Sequence, residues 1–186
     1  MERRRRIWRI LTWLLWPFLK RRFHLEAVRA EVPEPCLIVA NHVTNWDPLL
    51  LAMSFPTTPI RFVASEHIFR HGRASRLLES LVAPIPRRKA SSGADTVKAC
   101  LRALRDGENV CIFAEGDECW DGLTHEVFPA TGKLARSSGA ALVTYRLEGG
   151  YPTLPRWSKI RRPGRRRGAA VGVYGPEELK ALTGPE

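Results

Sequence analysis

With 186 residues, 44% of them hydrophobic and 26% charged, the chain can build one core, which excludes a disordered tail, a collagen-like fibre and a polytopic membrane protein. Thirty Lys and Arg against 19 Asp and Glu leave a formal charge of +11, so the expected partner surface is anionic: nucleic acid, phospholipid headgroups or a phosphorylated substrate.

In chain order, the first segment is a Trp-rich apolar stretch from Ile7 to Leu19, bracketed by Arg3 to Arg6 and by Lys20-Arg21-Arg22. Thirteen helical residues rise about 20 Å, short of the roughly 30 Å hydrocarbon core, so the segment is expected to lie in a membrane interface and not to span it. Its competing reading is a helix that packs on its own domain. Residues 1–24 are read as this interfacial helix and 25–186 as the remaining domain. Trp16-Pro17-Phe18-Leu19 runs directly into basic residues without a small-residue cleavage site, so the chain is expected to stay at the cytoplasmic face of the membrane, peripheral or monotopic.

From residue 36 the pattern is α/β. Cys36-Leu37-Ile38-Val39-Ala40 reads as a buried strand, and Asp47-Pro48 as an N-cap and first residue of an apolar helix. Ile60 to Ala64 is a second strand, followed by a helix around 74–82, and Pro84 to Lys89 is a short edge strand or loop. Asp95 is expected to cap a helix carrying Val97, Cys100, Leu101 and Leu104 on one face and ended by Gly107. Val110 to Phe113 and Ala140 to Tyr145 are further strands. Arg156 to Arg167 reads as a basic surface loop, Val171 to Tyr174 as a last strand, and Pro176 opens a helix that stops almost at once, as in a chain shortened at that end. The expected fold is a central, mostly parallel sheet flanked by helices, with the N-terminal amphipathic helix added, and with ligand groups at strand ends. Cys36, Cys100, Cys111 and Cys119 form no C-x-x-C pair, so reduced, mostly buried thiols are expected instead of a zinc site.

Three constellations carry chemistry. In Asn41-His42-Val43-Thr44-Asn45-Trp46-Asp47, a histidine follows a buried strand and an aspartate stands five residues on. Folded back onto one imidazole nitrogen, the carboxylate fixes the tautomer and frees the other nitrogen to take a proton from a hydroxyl. The competing reading is a helix-capping aspartate and a turn histidine. In Phe113-Ala114-Glu115-Gly116-Asp117-Glu118-Cys119, a strand ends in three carboxylates around one glycine, which permits a tight turn and close ligand approach, or is an acidic turn only. Arg87-Arg88-Lys89 is a phosphate-binding candidate or a solvated basic loop. His67 and His71, at helical spacing, lack the acidic residue of an H-E-x-x-H site and read as a surface pair.

Together these segments resemble the glycerolipid acyltransferases, the 1-acylglycerol-3-phosphate and related lysophospholipid acyltransferases. His42 and Asp47 match the family's N-H-x4-D motif in full. Phe113, Glu115 and Gly116 match F-P-E-G with Ala114 in place of proline, Arg87 takes the arginine of the second motif, and Leu142-Val143 sits at the fourth. The resemblance covers roughly Cys36 to Arg146. It departs from the pattern at Leu81 and Pro84, and at Glu118, which replaces the arginine held to bind an acceptor phosphate.

The resemblance implies a lysophospholipid O-acyltransferase of phospholipid biosynthesis. His42 acts as base on the acceptor hydroxyl as it attacks an acyl thioester, and Asp47 holds the imidazole. Glu115 and Gly116 shape the acceptor site, and Arg87, helped by Arg88, binds the acceptor phosphate. Glu118 repels a phosphomonoester, which points to a zwitterionic or phosphodiester lysolipid. Implied partners are an acyl thioester donor, a lysophospholipid acceptor and an anionic membrane surface, with nucleic acid set aside. No metal or bound cofactor is implied, the donor being a co-substrate on coenzyme A or acyl carrier protein. The competing class is a non-enzymatic protein that grips an anionic lipid or nucleic-acid surface, as the interleaved Trp8-Arg9 and Arg156-Trp157 allow.

Overall fold

A computed structural model describes residues 2–65, 83–87, 93–123 and 125–181. Its elements are α1 (Glu2–Phe23), β1 (Leu25–Ala27), β2 (Cys36–Ala40), α2 (Asp47–Ala52), β3 (Ile60–Ser65), β4 (Ile85–Arg87), α3 (Ala94–Arg105), β5 (Asn109–Phe113), α4 (Pro129–Ser138), β6 (Ala141–Glu148), α5 (Gly150–Thr153), β7 (Arg166–Tyr174) and α6 (Pro176–Ala181). The strands form one seven-stranded sheet in the order β1-β7-β6-β2-β5-β3-β4. Only β6 and β7 run antiparallel; the other neighbours are parallel.

The apolar run of β2 is continuous because both of its faces are covered. Cys36, Ile38 and Ala40 point into a core shared with Trp8, Leu19 and Phe23 of α1 and with Leu50 and Leu51 of α2. Leu37 and Val39 point the other way, against Cys100 and Leu104 of α3 and Leu134 of α4. Alternation along one strand thus fixes which helices lie on which side.

The described part of the proline-rich 84–89 segment is β4, at the sheet edge beside β3. The expected helix around 74–82, His67, His71, Leu81, Arg88 and Lys89 lie outside the described residues. All four cysteines are free and buried.

Two local expectations are corrected. Asp95 does not cap α3: the N-cap is Gly93, at φ +75, and Asp95 stands in the first turn. The basic loop also ends sooner than expected, because β7 begins at Arg166. There β7 pairs with both β6 and β1, and the Arg166 side chain is drawn inside, leaving the residue 2% exposed.

Helix α1 has two apolar faces. Trp8, Leu19 and Phe23 are buried, and the Trp8 indole Nε1 donates to the Phe55 carbonyl at 2.7 Å. Arg4 pairs with Glu108 and Arg5 with Glu34, tying its first turns to the domain. The opposite face leaves Ile10, Trp13, Leu14 and Phe18 exposed. Among the described residues no helix is long and apolar enough to cross a membrane.

Candidate active site

The central strand β2 leads into the site. From β2 the chain crosses to β3 on one side, and from β5 it crosses to β6 on the other, so the carboxyl ends of these two neighbours form a switch point where a crevice opens. Asn41, directly after β2, extends the ladder with its side chain: Oδ1 accepts from the Leu147 amide at 2.8 Å and Nδ2 donates to the Leu147 carbonyl at 2.9 Å. The turn that follows is thereby anchored to β6.

His42 and Asp47 meet across this turn, with His42 Nδ1 and Asp47 Oδ2 3.0 Å apart. Asp47 was expected to cap α2, yet its carboxylate makes no cap bond and points back into the turn. The local donors explain this. Oδ2 also accepts from the amides of Val43 at 2.6 Å and Thr44 at 2.8 Å, while Oδ1 accepts from the Thr44 hydroxyl at 2.8 Å. A carboxylate can only accept, so the shared imidazole proton sits on Nδ1, and Nε2 presents a lone pair. The Asp47 side chain is 2% exposed and that of His42 17%, so the dyad is covered from behind and open in front.

The loop after β5 packs against this turn. Phe113 stacks on the His42 ring, centroids 4.1 Å apart, fixing its plane. Glu115 is a strap between loops: its carboxylate accepts from the amides of His42 and His125, both at 3.3 Å. The Cys119 amide donates to the His42 carbonyl at 2.9 Å. Gly116 holds φ +74, and a Cβ there would run into the Phe128 ring and stand 2.8 Å from Arg87 Nη1. The close approach anticipated from the sequence is therefore made by the protein's own side chains.

His42 lines a cleft of about 1110 Å³, together with Arg87, Glu115, Gly116, Glu118 and Arg156. Arg87 enters from the end of β4, donating through Nη1 to the Gly116 carbonyl at 2.7 Å, with its guanidinium 5.5 Å from the Phe128 ring centroid. Arg88 lies outside the described residues. Partial burial raises the Glu118 carboxyl above its ordinary value, opposed by the charges of His42 and Arg156.

Two participants escaped the sequence reading. Thr44 Oγ1 accepts from Arg166 Nη1 at 3.1 Å while donating to Asp47, and Arg166 Nε donates to Thr153 Oγ1 at 3.0 Å. The Arg166 guanidinium lies over the Phe23 ring at 4.6 Å, so a buried cation from β7 stands behind the dyad. Nothing in the run Arg165-Arg166-Arg167 marks the middle residue; only the strand's inward alternation selects it. Arg156, in the surface loop expected from the sequence, also lines the cleft.

Comparison with known proteins agrees with this layout. The family model described as Acyltransferase matches residues 20–158. The fold is similar to the crystal structure of the 1-acyl-sn-glycerophosphate (LPA) acyltransferase, PlsC, from Thermotoga maritima, with a TM-score of 0.72 and 18% identity, over 91% of this chain and 73% of that one. The match spans the strand-end turns that carry His42, Asp47 and Glu115, and it sets the chain among enzymes: the chain belongs to the acyltransferase family.

Proposed function

We propose that this acyltransferase moves an acyl chain from a thioester to the hydroxyl of a lysophospholipid in phospholipid biosynthesis. The observation that carries the reading is the His42–Asp47 contact at 3.0 Å, in a ring that lines a cleft of about 1110 Å³. In the reaction the acceptor hydroxyl oxygen attacks the thioester carbon as its proton passes to His42 Nε2. Asp47 stabilises the imidazolium that forms. Collapse of the tetrahedral intermediate expels the thiolate, which takes the proton back from His42, leaving an ester and a free thiol.

Arg87, rigidly held at the cleft wall, binds the acceptor phosphate, assisted by Arg88. Glu115 and Gly116 shape the acceptor site by fixing its floor. Glu118 repels a second negative charge on phosphate, which favours a phosphodiester or zwitterionic lysolipid. The donor is carried by coenzyme A or acyl carrier protein, and no metal or bound cofactor takes part.

The membrane reading rests on exposed apolar side chains. Ile10, Trp13, Leu14 and Phe18 form a stripe on α1, and Trp120, Leu123, Trp157 and Ile160 stand out from the loops around the cleft. Trp at a headgroup boundary and Arg beside anionic lipid suit a protein lying on the cytoplasmic face of a membrane.

Incubating the full chain with oleoyl-coenzyme A and a panel of lysolipids, with thiol release as readout, tests the reaction. Thiol release that depends on a lysophospholipid is expected. Release with no dependence on any acceptor, or none at all, overturns the proposal.

A further inference from the structure

Two arginines line the described part of the cleft, Arg87 and Arg156. Arg156 belongs to the segment after α5, far along the chain from the motifs that suggested the site. It is held by three contacts. Nη1 forms an ion pair with Asp117 Oδ1 at 2.9 Å and donates to the Glu118 carbonyl at 3.2 Å, and the guanidinium lies 5.2 Å from the Trp120 ring centroid. The next residue fixes the same junction, since Trp157 Nε1 donates to the Trp120 carbonyl at 3.2 Å.

Both polar contacts use one nitrogen. Nε and Nη2 of Arg156 have no partner among the described residues, and these two N–H groups lie parallel on one edge of the planar guanidinium. That edge matches two oxygens of a phosphate. The side chain is 31% exposed and lines the cleft, so it is held in place yet reachable. Arg156 and the reacting His42 line the same cleft.

We propose that Arg156 joins Arg87 in seating the acceptor's phosphate, side-on through Nε and Nη2. Asp117 and the Glu118 carbonyl orient the guanidinium by occupying Nη1 and leave the binding edge clear. A phosphomonoester and a phosphodiester both offer the two oxygens required. The proposal rests on the acyl-transfer reading for the identity of the ligand, but its binding step does not require turnover.

The test is a calorimetric titration of the full chain with three short-chain probes: 1-hexanoyl-lysophosphatidate, 1-hexanoyl-lysophosphatidylethanolamine and 1-hexanoylglycerol, which lacks phosphate. At least one phosphate-bearing probe is expected to bind about tenfold tighter than 1-hexanoylglycerol, the size of one charge-assisted bidentate contact. Which of the two it is identifies the monoester or the diester as the source. Arg156→Ala is expected to lose most of that preference while leaving 1-hexanoylglycerol binding unchanged, and Arg156→Lys to restore only part of it. His42→Ala is expected to lose transfer and keep the preference, so failure of the catalytic reading and failure of this one show in different measurements. The proposal is overturned by a wild type without phosphate preference, by a folded Arg156→Ala variant that keeps it, or by equal weakening of all three probes in that variant.

Discussion

Arg166 reaches Asp47 through a single hydroxyl: Thr44 Oγ1 accepts from the guanidinium at 3.1 Å and donates to the carboxylate at 2.8 Å. A hydroxyl has one proton and two lone pairs, and the second lone pair takes the Trp46 amide at 3.3 Å, so all three positions are used. The arrangement gives Asp47 a buried positive charge behind it and the imidazole in front. Burial pushes the Arg166 guanidinium down from its ordinary value, and the charge of Asp47 opposes that push.

Arg166→Leu should therefore weaken the fold and the chemistry together. Loss of hydrogen bonds to a buried charged group costs about 1 to 3 kcal/mol, read as a lower urea midpoint. Transfer should fall through kcat, with the acceptor KM unchanged, because Arg166 lies behind the dyad and outside the cleft lining. A variant with the wild-type midpoint and wild-type kcat would show that the Thr44 bridge carries no energy.

His42 and Asp47 should separate in their effects on stability. His42→Ala removes a partly exposed ring and should lower transfer about a hundredfold or more with little change in Tm. Asp47→Asn keeps the shape but sets an amide among donors, since Val43 N, Thr44 N, Thr44 Oγ1 and His42 Nδ1 all point at the carboxylate. It should cost about 2 kcal/mol or more in addition to activity. Equal unfolding temperatures for wild type and Asp47→Asn would contradict that set of donors.

How much of this was legible from the residues depended on distance along the chain. The strand-turn dyad was readable because His42 and Asp47 are five residues apart, and one turn closes the contact. The two-sided burial of β2 was readable because its apolar run is unbroken. The competing reading of Asp47 as a helix cap stayed open because sequence shows the residue and not the four donors facing it. Arg166 was invisible as a site residue because long-range strand pairing brings it in, and Arg156 because its partners Asp117, Glu118 and Trp120 lie far back in the chain. Leu25 pairs with Arg166 across the sheet, and no local pattern among the basic residues from 156 to 167 announces which one turns inward.

Glu118 gives a pH dependence whose sign is fixed. Its carboxyl is raised above the ordinary value, first by burial, so the folded protein binds this proton more readily than the unfolded chain does. The neutral form is thus the more compatible with folding. Stability linked to Glu118 is fully present below the ordinary carboxylate value and is lost as pH rises through the higher folded one. Glu118→Gln should accordingly raise Tm near neutral pH, and the gain should shrink as pH falls into the carboxylate range. Thermal melts at a series of pH values decide it: a gain that is constant with pH, or a loss near neutrality, contradicts the assignment.

The exposed face of α1 can be tested without disturbing the buried one. Trp13, Leu14 and Phe18 are 75%, 56% and 50% exposed, whereas Trp8 and Leu19 are 4% and 0% exposed. Deleting the whole helix would strip Trp8, Leu19 and Phe23 from the core and confuse membrane binding with unfolding. Replacing Trp13, Leu14 and Phe18 together by Ser removes only side chains that already face solvent, so Tm should stay close to wild type. Each inserted side chain contributes about 1.5 to 3 kcal/mol on leaving water, so losing three should weaken binding to anionic vesicles by roughly a thousandfold or more. The flanking arginines remain in this variant and still supply a salt-sensitive attraction of about 1 kcal/mol each. Residual binding should therefore vanish at high salt, while the wild type keeps a salt-resistant fraction. Vesicle flotation at low and high salt reads both terms, and a triple variant that floats like the wild type at high salt would place the anchoring surface elsewhere on the molecule.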